Sequence, residues 1–74
     1  MNIPADYDYN LDRVLSEPAS ADFLNISLPH LRRLRYSGKG PEYVQLSERR
    51  IGYRIRRLIA YLDARTVGAN NGTR

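Results

Sequence analysis

The chain has 74 residues, no cysteine and a net charge of +4, from 12 Lys and Arg against 8 Asp and Glu. That length allows one small domain with a core near the lower limit for independent folding, and the missing cysteines exclude disulfides and thiolate metal sites. Residues 1–22 hold five acidic residues against Arg13, a net of −4, whereas residues 23–74 hold 11 basic and three acidic residues, a net of +8. A basic segment this dense implies a polyanionic partner.

Two further classes are set aside by composition. No apolar run approaches the ~20 residues that span a bilayer, and the first residues have neither the basic start nor the apolar stretch of a signal peptide. A cytoplasmic protein without a membrane partner is therefore expected. One histidine, no cysteine and a single acidic cluster on an unanchored leading segment leave no rigid nucleophile, base or metal cluster. The expectation is a binding protein, not an enzyme, with no metal and no cofactor.

In chain order, residues 1–13 are polar and acidic, with Tyr7, Tyr9 and Leu11 at alternate positions. They read as a flexible arm. Ser16 suits the N-cap of a first short helix, with Glu17 favourable at its positive end and Pro18 tolerated in its first turn. Ala19, Phe23 and Leu24 supply its apolar stripe. Asn25 tolerates the left-handed conformation that ends a helix, so Asn25-Ile26-Ser27 forms a three-residue turn with Ile26 under the corner.

Ser27 then caps a second helix, in which Pro29 gives up an N–H that lacked a partner anyway, and Gly38 closes it. At 100° per residue Leu31 and Leu34 share one side, while Pro29, Arg32, Arg33 and Tyr36 share the other. Arg32, Arg33 and Arg35 lie within four residues and repel one another, so this helix is expected to meet an anion, phosphate first among them. Beyond Gly38, Tyr43-Val44-Gln45-Leu46 and Ile51-Gly52-Tyr53-Arg54 alternate like two strands joined by the four-residue loop 47–50. A lone hairpin is marginal in water, so Val44, Leu46, Ile51 and Tyr53 should press it onto the helices. A last helix runs from about Arg56 to Arg65, poorly capped at its start, with Leu58, Tyr61 and Leu62 as its buried stripe. Residues 67–74 should be disordered.

The fold class that results is mainly α with a small hairpin: three short helices and a two-stranded wing, a winged helix–turn–helix over residues 14–66. Over most of that span the chain resembles the small excisionase and AlpA-type proteins of the MerR-like winged helix–turn–helix superfamily. The resemblance is carried by Phe23-Leu24-Asn25-Ile26-Ser27, by Leu31-Arg32-Arg33-Leu34-Arg35, by Gly38-Lys39-Gly40-Pro41-Glu42-Tyr43-Val44, and by Arg50-Ile51-Gly52-Tyr53-Arg54 leading into Leu58-Ile59-Ala60-Tyr61-Leu62.

That resemblance implies a double-stranded DNA partner and a nucleoid-associated location. Its second helix would enter the major groove with Arg32 and Arg33 on the groove face, joined by Ser27, Pro29, His30 and Tyr36. Its wing tip, Arg49 and Arg50, would lie over a neighbouring minor groove, with Lys39, Arg54, Arg56 and Arg57 on phosphates. It also implies one of two roles. The first is an excisionase, or recombination directionality factor, that bends DNA at tandem sites for an integrase; the second is an AlpA-like transcriptional regulator of a prophage or integrative element. A protein-interaction module using the basic surface against an acidic partner is a third and more distant class.

Three positions depart from the family pattern. Asn25 stands where Gly is usual, Arg56-Arg57 replaces a Ser-Asp cap, and Ile59 replaces a polar residue. Two cations at a helix's positive end are unfavourable unless a phosphate sits there. Ile59, pointing partly outward, together with Tyr7 and Tyr9 of the arm, is the candidate contact for head-to-tail self-association along DNA.

Overall fold

The fold follows from a few local signals joined by one central strand. In the computed structural model, which describes residues 10–68, the elements are β1 (Val14–Ser16), α1 (Glu17–Leu24), α2 (Leu28–Ser37), β2 (Val44–Ser47), β3 (Arg50–Arg54) and α3 (Ile55–Arg65). The three strands form one antiparallel sheet in the order β1-β3-β2.

Each early boundary has the expected chemistry. Ser16 Oγ accepts the Ala19 N–H at 3.3 Å, and Ser27 Oγ accepts the His30 N–H at 3.2 Å, satisfying donors that a helix start leaves free. Asn25 sits at φ 61° and ends α1, and Gly38 sits at φ 74° and ends α2. Residues 25–27 are thus a three-residue turn between two short helices, with Ile26 packed against the core.

The core is small: Ala21, Leu24, Leu31, Tyr53 and Leu58 are buried, with Leu15, Ile26, Leu28, Ile51 and Tyr61 against them. The inward side of α1 is Ser20, Ala21 and Leu24, whereas Ala19 and Phe23 of the expected stripe face outward. Ser20 can be fully buried because its hydroxyl donates to the Ser16 carbonyl at 2.7 Å. Such small residues let α1 approach β3 closely. Leu62, expected in the buried stripe of α3, is exposed, and Leu34 is half-buried at the edge of the core.

The sheet has three strands, where the sequence suggested two. Val14, Leu15 and Ser16 pair with Arg54, Tyr53 and Gly52, so the centre of β3 is bonded on both sides. The hairpin is also tighter than expected. Strands β2 and β3 are joined by Glu48 and Arg49 alone, and Arg50 already belongs to β3. Leu46 is the extra residue of a bulge between Gln45 and Ser47; a bulge breaks strict alternation, and Leu46 is exposed. The Gln45 amide donates to the Ser47 carbonyl at 2.6 Å and the Arg50 carbonyl at 3.4 Å, which ties the tip together.

The last four residues of the expected arm are not free. The N–H groups of Ile55 and Arg56 donate to the carbonyls of Arg13, at 3.0 Å, and Leu11, at 2.7 Å. Asp12 adds a forked ion pair to Arg56, with Nε–Oδ1 at 2.8 Å and Nη2–Oδ2 at 3.4 Å. The start of α3 has no side-chain cap, but this segment supplies carbonyls and a carboxylate there, which is the charge a helix N-terminus favours. Val67 and Gly68 lie outside any helix or strand, and residues 1–9 and 69–74 of the expected arm and tail fall outside the described residues.

Two outcomes are expected. A Cβ at Gly52 would stand 2.5 Å from Val14 Cγ1 and 2.7 Å from the Leu15 carbonyl oxygen. Gly52→Ala should therefore destabilise by at least the ~1–3 kcal/mol typical of overpacking, read as a lower urea midpoint; an unchanged midpoint contradicts the packing described. Arg56's hydrogen bond, then its charge, holds the Asp12 carboxyl below its ordinary range. A depressed carboxyl stabilises fully above its unfolded pKa of ~4 and loses that contribution as pH falls through the lower folded value. Wild type should thus lose stability on acidification below that point more steeply than Asp12→Asn in parallel melting curves, and identical slopes contradict the ion pair.

Candidate nucleic-acid interface

Helix α2 carries the charge that makes this surface a candidate. It packs Leu31 into the core and leaves Pro29, Arg32, Arg33 and Tyr36 exposed, Tyr36 at 75 % of its full area. His30 and Ser37 join Arg33, Leu34 and Tyr36 in lining one shallow depression on this side. The structure therefore groups four of the expected groove-face residues, Pro29, Arg32, Arg33 and Tyr36, on one outward face. Ser27 sits at its start as the cap.

The arginine cluster is divided by a residue outside α2. The Glu17 carboxylate, in the first turn of α1, receives Arg32 Nη2 at 3.3 Å and Arg35 Nη2 at 3.2 Å. Arg35 is the inner member: its side chain is 18 % exposed, against 47 % for Arg32, and its guanidinium lies 4.7 Å from the centre of the Tyr36 ring and 5.7 Å from that of Tyr43. Burial disfavours the charge of Arg35, yet Glu17 more than offsets it, so the guanidinium pKa stands above its ordinary value. The same group meets the core, where burial pushes the Tyr53 phenol up while Arg35 opposes the shift.

The anion that Arg35 meets within the chain is therefore Glu17. Arg33 has no ion pair among the described residues. From sequence Glu17 has only a helix-end role, because its partners are 15 and 18 residues away and no local periodicity joins them.

A second set of cations lies on the hairpin. Arg49 is in the turn, Arg50 and Arg54 lie at the two ends of β3, and all three are exposed without an ion pair among the described residues. Lys39 is exposed just after α2. The remaining two expected phosphate contacts are engaged inside the chain: Arg56 with Asp12, and Arg57 with Glu42 at 3.2 Å. Both pairs are solvent-exposed, a setting in which ion pairs contribute only ~0–1 kcal/mol, so either cation can exchange its carboxylate for another anion.

Ile59 is half-buried on α3, while Tyr7 and Tyr9 lie outside the described residues. Among the described residues no group of His, Cys, Asp or Glu is placed to hold a metal ion, and no helix there is long and apolar enough to cross a membrane.

The division of the arginines is testable by stability alone. Arg35→Ala removes a mostly buried charged hydrogen bond and the ring contacts, and should cost about 1–3 kcal/mol. Arg33→Ala should stay within ~0.5 kcal/mol of wild type, as exposed surface substitutions do. Urea denaturation of the two variants checks this, and equal costs would contradict the assignment.

Compared with known proteins, the chain matches no family model, no curated protein and no solved structure.

Proposed function

We propose that this chain is a sequence-specific DNA-binding protein of the winged helix–turn–helix type, with α2 in the major groove and the β2–β3 hairpin as the wing. The observation that carries the reading is the outward face of α2. Arg32, Arg33 and Tyr36 are exposed there on a helix braced from behind by Leu31. A helix fits the major groove, and arginine supplies the paired donors that distinguish guanine, worth about 1–3 kcal/mol of discrimination. Arg49 and Arg50 at the hairpin tip suit the narrow and strongly negative minor groove of A·T-rich DNA. Lys39 and Arg54 add phosphate contacts, and Arg56 and Arg57 join them on exchanging their carboxylates.

The resemblance to excisionases gives this binding its specific role: bending DNA at tandem sites so that an integrase assembles the excisive complex. Neighbouring protomers would meet head to tail through Ile59 and the arm. Deleting the gene should then reduce excision of its mobile element, whereas a change in promoter output alone would support the AlpA-like regulator instead.

Binding itself is tested by fluorescence anisotropy of the full chain on a labelled random-sequence duplex at several salt concentrations. Each phosphate contact adds about one unit to the slope of log K against log salt. Arg49→Ala/Arg50→Ala should lower that slope by about two units if both arginines neutralise phosphate. An unchanged slope removes the hairpin from the interface, and no binding to any duplex at low salt removes the proposed function.

A further inference from the structure

We infer that Glu17 is a specificity-determining residue: it holds Arg32 in place for base reading, with Arg35 as its anchor, and so makes Arg32 rather than Arg33 the base reader. The inference rests on the DNA-binding reading and names the part of that interface that sets sequence preference.

The two ion pairs of Glu17 are unequal. The Glu17 side chain is 16 % exposed and Arg35 18 %, and Arg35 is further held over the Tyr36 and Tyr43 rings. That pair is fixed. Arg32, at 47 % exposure, is the outer partner. Glu17 itself stands on a rigid frame, because it follows the Ser16 cap and α1 is tied to the core by Ser20, Ala21 and Leu24. A carboxylate belonging to α1 thus sets the direction of an arginine belonging to α2.

The geometry also leaves Arg32 its reading chemistry. Only its Nη2 is engaged by Glu17, at 3.3 Å. A guanidinium has five N–H donors in a rigid fork, and one contact to Glu17 uses one of the two Nη2 hydrogens. The other, together with Nη1 or Nε on the edge left open, remains to donate to the O6 and N7 acceptors on the guanine edge. An arginine already held in one orientation loses less conformational freedom on reaching a base, and it loses that advantage on a wrong base. Arg33, also exposed but without a carboxylate partner among the described residues, is free to follow phosphates on any sequence.

A retained carboxylate has a second effect. It repels the phosphate backbone, so it weakens binding to arbitrary duplex while supporting the one arrangement in which Arg32 meets its base. Discrimination gains on both counts.

The test begins with wild-type protein and a random-sequence duplex pool, from which the preferred site is selected. The ratio of its Kd to that of a scrambled duplex is then measured for wild type, Glu17→Gln, Arg32→Ala, Arg33→Ala and the double variant Glu17→Gln/Arg32→Ala. Glu17→Gln should bind scrambled duplex as tightly as wild type or more so, yet lose about tenfold in discrimination, within the range of one bidentate base contact. The loss should fall on a single guanine position, the same one that Arg32→Ala affects. The double variant should lose no more than Arg32→Ala alone, because the two residues act as one unit.

Arg33→Ala should weaken both duplexes equally. Glu17→Asp keeps the charge in the first turn of α1 but shortens its reach by one methylene, and should lose discrimination without gaining affinity for scrambled duplex. It serves as the control should Glu17→Gln fail to fold. Wild-type discrimination in both Glu17 variants, or fully additive losses in the double variant, would overturn the inference while leaving DNA binding intact. Wild-type protein that binds no duplex at all would overturn the DNA-binding reading, and this inference with it.

Discussion

Strand β3 is the constraint on which the rest of the molecule depends. It is bonded to β1 on one side and β2 on the other, its Tyr53 is fully buried, and it runs without a break into α3. Gly52 lets the neighbours close over it, since any larger residue would strike Val14 and the Leu15 carbonyl. Because the core cluster among the described residues has only five buried side chains, this strand must serve both as sheet centre and as support for α1. A domain this small has little apolar surface to spare, and polar ties such as Ser20 to Ser16 and Leu11 to Arg56 carry a larger share of the organisation.

Charge is arranged on the same frame. A chain with 12 cations in 74 residues would repel itself if they were all turned outward, and the fold places carboxylates against a subset. Glu17 neutralises two arginines of α2, Asp12 one of α3, and Glu42 another. The cations without an ion pair among the described residues include Arg33 on α2, Lys39 just after it, Arg49, Arg50 and Arg54 on the hairpin, and Arg65 on α3, whose guanidinium lies 5.4 Å from the centre of the Tyr61 ring. The leading acidic segment is thus in part an internal counter-charge, with Asp12 occupying the helix start where a phosphate had been expected.

The parts of this fold legible in the sequence are those set by nearest-neighbour chemistry. Ser16, Asn25, Ser27 and Gly38 mark helix ends because their side chains, or the lack of one, act within three or four residues. The outward position of Arg32, Arg33 and Tyr36 followed from helical periodicity around Leu31. Strand β1 was not legible, since three residues become a strand only by pairing with Arg54, Tyr53 and Gly52 some forty positions away. The same distance hid the Asp12–Arg56 pair, and the Glu17 contacts were hidden because they cross between two helices. Phe23 and Leu62 misled for a different reason: apolarity alone places a residue inside, but the close approach of α1 is made by Ser20 and Ala21.

The most direct measurement is a map of backbone amide chemical shifts as duplex DNA is added to the full chain. The largest changes should fall on residues 29–37 of α2 and on the hairpin tip at residues 48–50, while the core amides of Leu24 and Leu58 move little. Changes confined to the exposed side of α1 around Phe23, or to the C-terminal half of α3, would contradict the proposed interface.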